Sequence, residues 1–293
     1  MNKLIVFVIV GFFAQLIDGS LGMAYGLTSS SLLLAFGIAP AIASASIHLA
    51  EIATTGASGI SHIRLGNVDK KIVYRMMLPG AIGAFVGACF LSNLPGDKIE
   101  PYISFFLLIL GLYIVFRFLF NFDPKEHTKE FSKKQLVPLG LIAGFCDSVG
   151  GGGWGPIATP VLLSQKGIAA RKVIGSVDTS EFVVTVAGTL GFLITLGFQD
   201  INWLYVAAFA ASGLVAAPIA AWFIKILPAY LLGVAVGGMI VFVNARTILY
   251  AIGLSPGVIS IIYIVFGLAW ALAIINAIRR HRRSKEETLY EAK

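Results

Sequence analysis

Residues 147–156 read DSVGGGGWGP, in which an acid is followed by four consecutive glycines and then by Trp-Gly-Pro. The segment lies in a chain of 293 residues that is 57% hydrophobic and 13% charged. Such a composition leaves too little polar surface to cover a soluble globule of this size and is typical of a membrane protein. An acid and four glycines inside apolar sequence therefore predict a helix that breaks at membrane depth.

Long apolar windows elsewhere in the chain predict membrane-spanning helices. A helix needs about 20 apolar residues to cross a hydrocarbon core about 30 Å thick. The expected fold class is therefore all-α and polytopic. The predicted spans are residues 39–63, 73–93, 102–120, 173–197, 203–224, 230–250 and 258–278.

The chain consists of two similar halves. AQLIDGSLGMAYG (14–26) aligns with AGFCDSVGGGGWG (143–155), which pairs Asp18 with Asp147. GIAPAIASASIHLAEI (37–52) aligns with GIAARKVIGSVDTSEF (167–182). The predicted architecture is therefore two repeats, each with a broken Gly-rich segment and full transmembrane helices, followed by one extra helix.

The distribution of Lys and Arg predicts how the repeats are oriented, because these residues favour cytoplasmic loops. If residues 4–36 and 136–164 each return to the side from which they enter, all 22 Lys and Arg residues except Lys3, Lys98 and Arg246 lie on the inside with the C-terminus. If both segments cross the membrane, the basic residues divide evenly. The first arrangement makes the halves inverted relative to one another. It leaves open whether the first segment re-enters or spans, because only Lys3 would move.

The same pattern predicts the organisation of the chain and its partners. The expected units are a first repeat (1–120), a charged cytoplasmic linker (121–135), a second repeat (136–250), an extra helix (251–279) and a basic cytoplasmic tail (280–293). Membrane topology accounts for the net charge of +7, so nucleic acid is not expected as a partner. The expected partners are the lipid bilayer and a small anionic substrate, and a homo-oligomer is left open.

A break at membrane depth predicts an anion site. Half-helix N-termini present free N–H groups to anions, and glycines let those groups approach a ligand closely. The alternative is that the glycines only permit close helix packing. The predicted substrate-binding residues are Ser148, Gly150, Gly151, Gly152, Gly153 and Trp154 in the second half, with Ser20, Gly22, Tyr25, Ser46, Ser176 and Thr179.

Ionisable residues inside the apolar segments form a second candidate group, because charge in hydrocarbon is costly and usually functional. His48 and Glu51 are three residues apart, and so are Asp178 and Glu181, so each pair lies on one helical face. The repeat aligns the first pair with the second. A shared central cavity is therefore expected. The predicted coupling or hairpin-stabilising residues are Asp18, Asp147, His48, Glu51, Asp178 and Glu181.

Each ionisable residue also has a structural interpretation. Asp18 and Asp147 either cap the half-helices that follow them or contact substrate directly. Glu51 and Glu181 either hold the hairpins by hydrogen bonds or carry coupling protons. His48 has the weakest case for a functional role, and its structural interpretation is a satisfied interior histidine.

No enzyme, cofactor or metal is expected from these residues. Ser20, Ser148 and Ser176 lack a Ser-His-Asp setting, and the sequence has no P-loop. A metal site built from His48, Glu51 and His62 is not expected, because the second half lacks equivalent histidines. Without a nucleotide motif, transport is expected to be secondary or passive.

The motifs that open the two halves resemble a known family. GFFAQLID (11–18) and GLIAGFCD (140–147), followed by SLGMAYG and SVGGGGWGP, and the later GIAARKVIGSVDTSE, resemble the sulfite exporter TauE/SafE family, also called the toluenesulfonate uptake permeases. The resemblance covers residues 11–278. It implies a bacterial cytoplasmic-membrane permease for sulfite or sulfonates such as sulfoacetate. Leu21, Met23 and Ala24 stand where the second half has glycines, so the main oxyanion site is expected in the second half.

Two other functions remain open at this point. In the first, the carboxylates bind Na⁺, H⁺ or a divalent ion directly, and the protein is cation-coupled or cation-selective. In the second, the repeats merely pack, and the protein is a membrane scaffold that does not transport.

Overall fold

The computed structural model describes residues 2–120, 131–163, 168–199, 201–223 and 229–291. Within these ranges the chain folds into helices and contains no strand, which confirms the all-α fold class. The helices are α1 (Asn2–Leu21), α2 (Tyr25–Ala35), α3 (Pro40–Arg64), α4 (Lys70–Ser92), α5 (Gly96–Phe120), α6 (Lys133–Gly150), α7 (Trp154–Leu163), α8 (Ala170–Leu196), α9 (Trp203–Phe223), α10 (Ala229–Ala251) and α11 (Pro256–Glu291).

The predicted spans coincide with α3, α4, α5, α8, α9, α10 and α11. Among the described residues, five helices are long and apolar enough to cross a membrane: segments of α4, α5, α8, α10 and α11. The 25-residue α3 is not among them. Its buried face carries serines, threonines, a histidine and a glutamate, which lower its hydropathy. That polar face is directed into the protein and forms one wall of the candidate site.

Both predicted breaks are present. The first separates α1 from α2, and the second separates α6 from α7. Gly22 and Gly151, which the repeat pairs with one another, have φ values of 65° and 67°. This left-handed conformation strongly favours glycine and ends the preceding helix. The structural equivalence of the two glycines explains why both halves keep one at this position.

The order of helices in the first half repeats in the second, with α1–α5 corresponding to α6–α10. The packing follows the same correspondence: α4 packs on α6 and α8, while α9 packs on α1 and α3. The pairs α3–α8 and α5–α10 pack on their own counterparts. Helices of each half therefore pack on helices of the other half, as expected for two intertwined repeats. The inverted orientation of the repeats in the membrane stays a prediction. Helix α11 packs chiefly on α10 and is otherwise largely exposed.

Some glycines serve helix packing alone, as the alternative interpretation expects. Where α4 crosses α6, a Cβ added at Gly144 would lie 3.0 Å from the Cα of Gly80 and still closer to its carbonyl group. A Cβ at Gly87 would lie 2.6 Å from the carbonyl oxygen of Phe145. The two backbones are therefore in direct contact, the arrangement that small residues allow in membrane helices.

The predicted linker lies mostly outside the described residues. Its described end includes Ser132, which caps α6 in a capping box with Gln135. Helix α11 continues through most of the predicted tail, as far as Glu291.

Candidate functional site

The two helix breaks lie against one another at the centre of the protein. A Cβ added at Gly26 would lie 2.6 Å from the carbonyl oxygen of Gly151 and 2.7 Å from the Cα of Gly152. One at Gly155 would lie 2.9 Å from the Cα of Met23. Only glycines allow this approach, so the repeated glycines bring two stretches of non-helical backbone into contact.

Reciprocal hydrogen bonds join the breaks. The hydroxyl of Ser30 on α2 donates to the Gly151 carbonyl at 2.7 Å, and the hydroxyl of Thr159 on α7 donates to the Gly22 carbonyl at 3.1 Å. Ser30 and Thr159 are equivalent residues in the repeat, as are the two glycines. Each half therefore satisfies a backbone carbonyl that the break in the other half leaves outside a helix.

The side chain of Asp147, which lies near the end of α6, caps the N-terminus of α7. Its Oδ1 accepts hydrogen bonds from the backbone N–H groups of Gly153 at 2.7 Å and Trp154 at 2.9 Å. The N–H of Gly152 donates to the Asp147 carbonyl at 3.0 Å. The geometry matches the capping role. The backbone donors expected to hold a substrate anion hold a carboxylate of the protein in this conformation.

Asp18 has a weaker version of the same role in the first half. Its Oδ1 accepts a hydrogen bond from the N–H of Tyr25 at 3.2 Å, which is longer than either bond to Asp147. Ala24, at the N-cap of α2, has a φ of 151° and is the one non-glycine with positive φ among the described residues. In the second break the residue with a comparable φ, 155°, is Gly152, so the first break holds a strained conformation on a residue less suited to it than glycine.

His48 is fully buried on α3 and faces the second break. Its Nε2 lies 3.3 Å from Asp147 Oδ2 and 3.3 Å from Ser148 Oγ, and its Nδ1 lies 3.0 Å from the carbonyl oxygen of Ser44. Ser44 also donates to the Ser148 carbonyl at 2.6 Å. Ser44 was not predicted from the sequence, although its position four residues before His48 places it on the same helical face.

The corresponding face of α8 meets the first break. Carboxylate oxygens of Asp18, Asp178 and Glu181 all lie within 4.8 Å of one another. His62, at the cytoplasmic end of α3 in the predicted topology, has its Nε2 3.7 Å from Asp178 Oδ2. The structure thus gathers residues from α1, α3 and α8 that are far apart in sequence.

Glu51 is buried between these two groups. Its Oε1 lies 2.9 Å from the position that a Gly26 Cβ would occupy, and its Oε2 has no hydrogen-bond partner among the described residues. Thr55 donates to the backbone carbonyl of Glu51 at 2.6 Å. The Glu51 carboxylate therefore lies against the contact between the two breaks.

Several predicted hydroxyl donors are already engaged. Ser46, Ser176 and Thr179 each donate to a carbonyl one turn earlier on their own helix, and Ser176 also accepts from the N–H of Asp69 at 2.7 Å. The two aromatic residues bind backbone carbonyls: Tyr25 binds Phe209, and Trp154 binds Val177, each at 3.0 Å. Gly150 is the last residue of α6, and the Ser20 side chain lies outside the described part of the structure. Their predicted contacts with substrate remain predictions.

A cavity of about 390 Å³ opens beside this region. It lies between the end of α3 and the starts of α4 and α8, and Lys70 and Lys172 line it. A neighbouring cavity of about 160 Å³ shares Ile63 and Thr179 with the first and continues along α3 and α8. The larger volume is within the usual range for small-molecule sites. The lysines were not predicted as site residues, because sequence alone gave them only a topological role.

Membrane-length apolar helices, two helix breaks in contact and buried acids beside a cavity define a multi-pass membrane transporter. The chain belongs to the sulfite exporter TauE/SafE family, whose profile matches residues 7–247. This match confirms the family that the sequence motifs indicated, and with it the location in the cell membrane.

Named relatives are also described as transporters. The chain is 58% identical over 278 residues to the probable membrane transporter protein YtnM of Bacillus subtilis (strain 168), covering 94% of this chain and 92% of that protein. It is 30% identical to the probable membrane transporter protein YdhB of the same organism, over 52% of this chain and 63% of that protein. It is 27% identical to the probable membrane transporter protein ORF9 of Sinorhizobium sp, over 67% and 73%. No solved structure matches the chain significantly.

Proposed function

We propose that this protein is a secondary transporter of small sulfur-containing anions, sulfite or sulfonates such as sulfoacetate, and that the second break contains the anion site. One observation carries the proposal: two backbone N–H groups at the start of α7 bind the Asp147 carboxylate at 2.7 and 2.9 Å. This geometry is that of an oxyanion site, and an anion of the protein itself fills it. Sulfite and sulfonates present the same kind of oxygen to such donors.

Substrate binding then displaces the Asp147 carboxylate. The released carboxylate keeps a partner, because its Oδ2 already lies 3.3 Å from His48 Nε2. The substrate takes the N–H groups of Gly153 and Trp154, with the neighbouring Ser148 hydroxyl as a further donor. Exchange of one anion for another leaves the positive end of the α7 dipole neutralised throughout.

Movement of the halves supplies access from alternate sides. The hydrogen bonds of Ser30 and Thr159 join the breaks in the present conformation, and a relative displacement of the repeats separates them. Lys70 and Lys172 attract anions to the cavity on the predicted cytoplasmic side. An inside-negative potential favours anion export by about 2.3 kcal/mol per charge per 100 mV, so export needs no coupled ion to run down this potential, whereas anion uptake against it requires one.

The first experiment measures flux of labelled sulfite and sulfoacetate in proteoliposomes, with an imposed potential and, separately, an imposed pH gradient. Wild-type flux should follow one of these gradients. Asp147→Asn removes the competing charge and retains a hydrogen-bond acceptor, so the KM for the anion should fall. The matched control is Asp97→Asn, at an exposed acid in the first turn of α5.

An unchanged KM in folded Asp147→Asn protein would contradict displacement of Asp147. The absence of flux for both anions, in wild-type protein that unfolds cooperatively on heating, would contradict the substrate class and favour the scaffold interpretation.

A further inference from the structure

Three acids meet where the first break contacts α8. Asp18 comes from α1, while Asp178 and Glu181 lie three residues apart on α8, and their carboxylate oxygens are within 4.8 Å of one another. Asp18 and Asp178 are 6% and 2% exposed. Three ionised carboxylates at this separation repel strongly when buried, so the cluster must be neutralised either by protonation or by a bound cation.

Asp178 is directed into this cluster. Among the described residues neither of its buried carboxylate oxygens has a hydrogen-bond partner within 3.5 Å, and the hydroxyl of Ser58 on α3 approaches the carboxylate only at a longer distance. Within the described ranges its one ion-pair neighbour is His62, 3.7 Å from Oδ2 and at the edge of the cluster. A protonated His62 would supply one positive charge against three acids, so it cannot neutralise the cluster alone.

The second break shows which residue type stands at the equivalent position there. Through the repeat, Asp147 corresponds to Asp18, and His48 corresponds to Asp178. At the second break the basic group is built in, because His48 Nε2 lies 3.3 Å from Asp147 Oδ2. At the first break an acid replaces the histidine, so neutralisation there requires protons on the acids or a cation from outside the chain.

The residues around the histidine at the second break also differ from their counterparts around Asp178 at the first break. His48 is held by Ser44 and Ser148, whose repeat counterparts are Ile174 and Gly19. Asp178 therefore lacks the two hydroxyls that hold its counterpart and has the more distant Ser58 hydroxyl instead. In addition, Asp18 lies in the last turn of α1, where the negative end of the helix dipole favours a cation.

We propose that Asp18, Asp178 and Glu181 bind a hard monovalent cation such as Na⁺, and that this cation is the coupling ion of transport. Carboxylate oxygens are the ligands that hard cations prefer. A cation at the centre of the cluster would lie about 2.8 Å or less from one oxygen of each acid, close to the distances of oxygen-ligated cations. Cation binding at these acids is independent of the proposed function, whereas the coupling role of the cation rests on the anion transport proposed above.

Thermal unfolding of the purified protein tests binding without any transport. NaCl and KCl are each compared with choline chloride at equal ionic strength, because choline is too large for the cluster. Wild-type protein should gain at least ~3 °C in Tm at 100 mM NaCl over choline chloride. Asp178→Asn should abolish the gain, and Asp178→His should do so by building in the basic group of the second break. Asp97→Asn is the control that retains it.

Flux of sulfite in proteoliposomes containing NaCl or choline chloride then tests coupling. Na⁺-dependent flux in wild type that becomes Na⁺-independent in Asp178→His supports the proposal. Equal Tm values in all three salts, or a Na⁺ gain that survives in Asp178→Asn, would overturn it, and a Tm that responds to pH alone would assign the neutralisation to protons. Sulfite flux with no Na⁺ dependence leaves the anion function intact and removes only the coupling ion.

Discussion

Gly26 of the first half and Gly152 of the second half are in backbone contact, with 2.7 Å between the Gly152 Cα and the position of a Gly26 Cβ. Gly26→Ala should therefore lower the free energy of unfolding by about 1–3 kcal/mol, because the added methyl group meets backbone on one side and the Glu51 carboxylate on the other. Thermal unfolding in detergent measures the change.

The matched control for this substitution is Gly257→Ala, because a Cβ at Gly257 meets nothing within 4 Å. This variant should unfold at or slightly above the wild-type temperature, since alanine favours the helix. Equal stability of the two variants would show that the breaks are not in contact.

Gly144→Ala should destabilise the crossing of α4 and α6 by a similar amount. The new methyl group would meet the backbone of Gly80, which cannot move without displacing α4. Gly267→Ala on the exposed α11 is the control, because its Cβ has open space. If Gly144→Ala is as stable as Gly267→Ala, α4 and α6 are not in close backbone contact.

Ser30→Ala and Thr159→Val should each cost about 1 kcal/mol of unfolding free energy, because each leaves a backbone carbonyl at a break without its donor. Ser260→Ala removes a comparable bond from an exposed part of α11 and should cost little. Chemical or thermal unfolding compares the variants. A loss confined to one of the two break variants would contradict the reciprocal arrangement.

Replacing both Lys70 and Lys172 with Gln should raise the KM for the transported anion several-fold with little effect on kcat. The two lysines act by long-range attraction at the cavity, so the effect should shrink as ionic strength rises. Lys98→Gln, at an exposed lysine on the opposite side in the predicted topology, is the control. A KM that is equally high at all salt concentrations would exclude steering as the role of Lys70 and Lys172.

The fold could be predicted from sequence to a large extent because it depends on local composition. Apolar windows long enough for a bilayer placed the transmembrane helices, and glycines after Asp18 and Asp147 placed the breaks, since both signals are contained in short stretches of chain. The repeat was visible because each half breaks a helix just after an acid, with glycine at the equivalent positions 22 and 151. The motifs around the glycines were sufficient to indicate the family.

The arrangement of the site was decided by tertiary structure. Sequence could list Asp18, Asp178 and Glu181 as intramembrane acids and leave Asp147 either as a cap or as a substrate contact. It could not show that α1 brings Asp18 to the two acids of α8, or that His48 lies 3.3 Å from Asp147 while the nearest histidine nitrogen to Asp178, on His62, is 3.7 Å away. These relationships depend on how the repeats pack across one another, and distances between groups on different helices are not encoded in any local pattern.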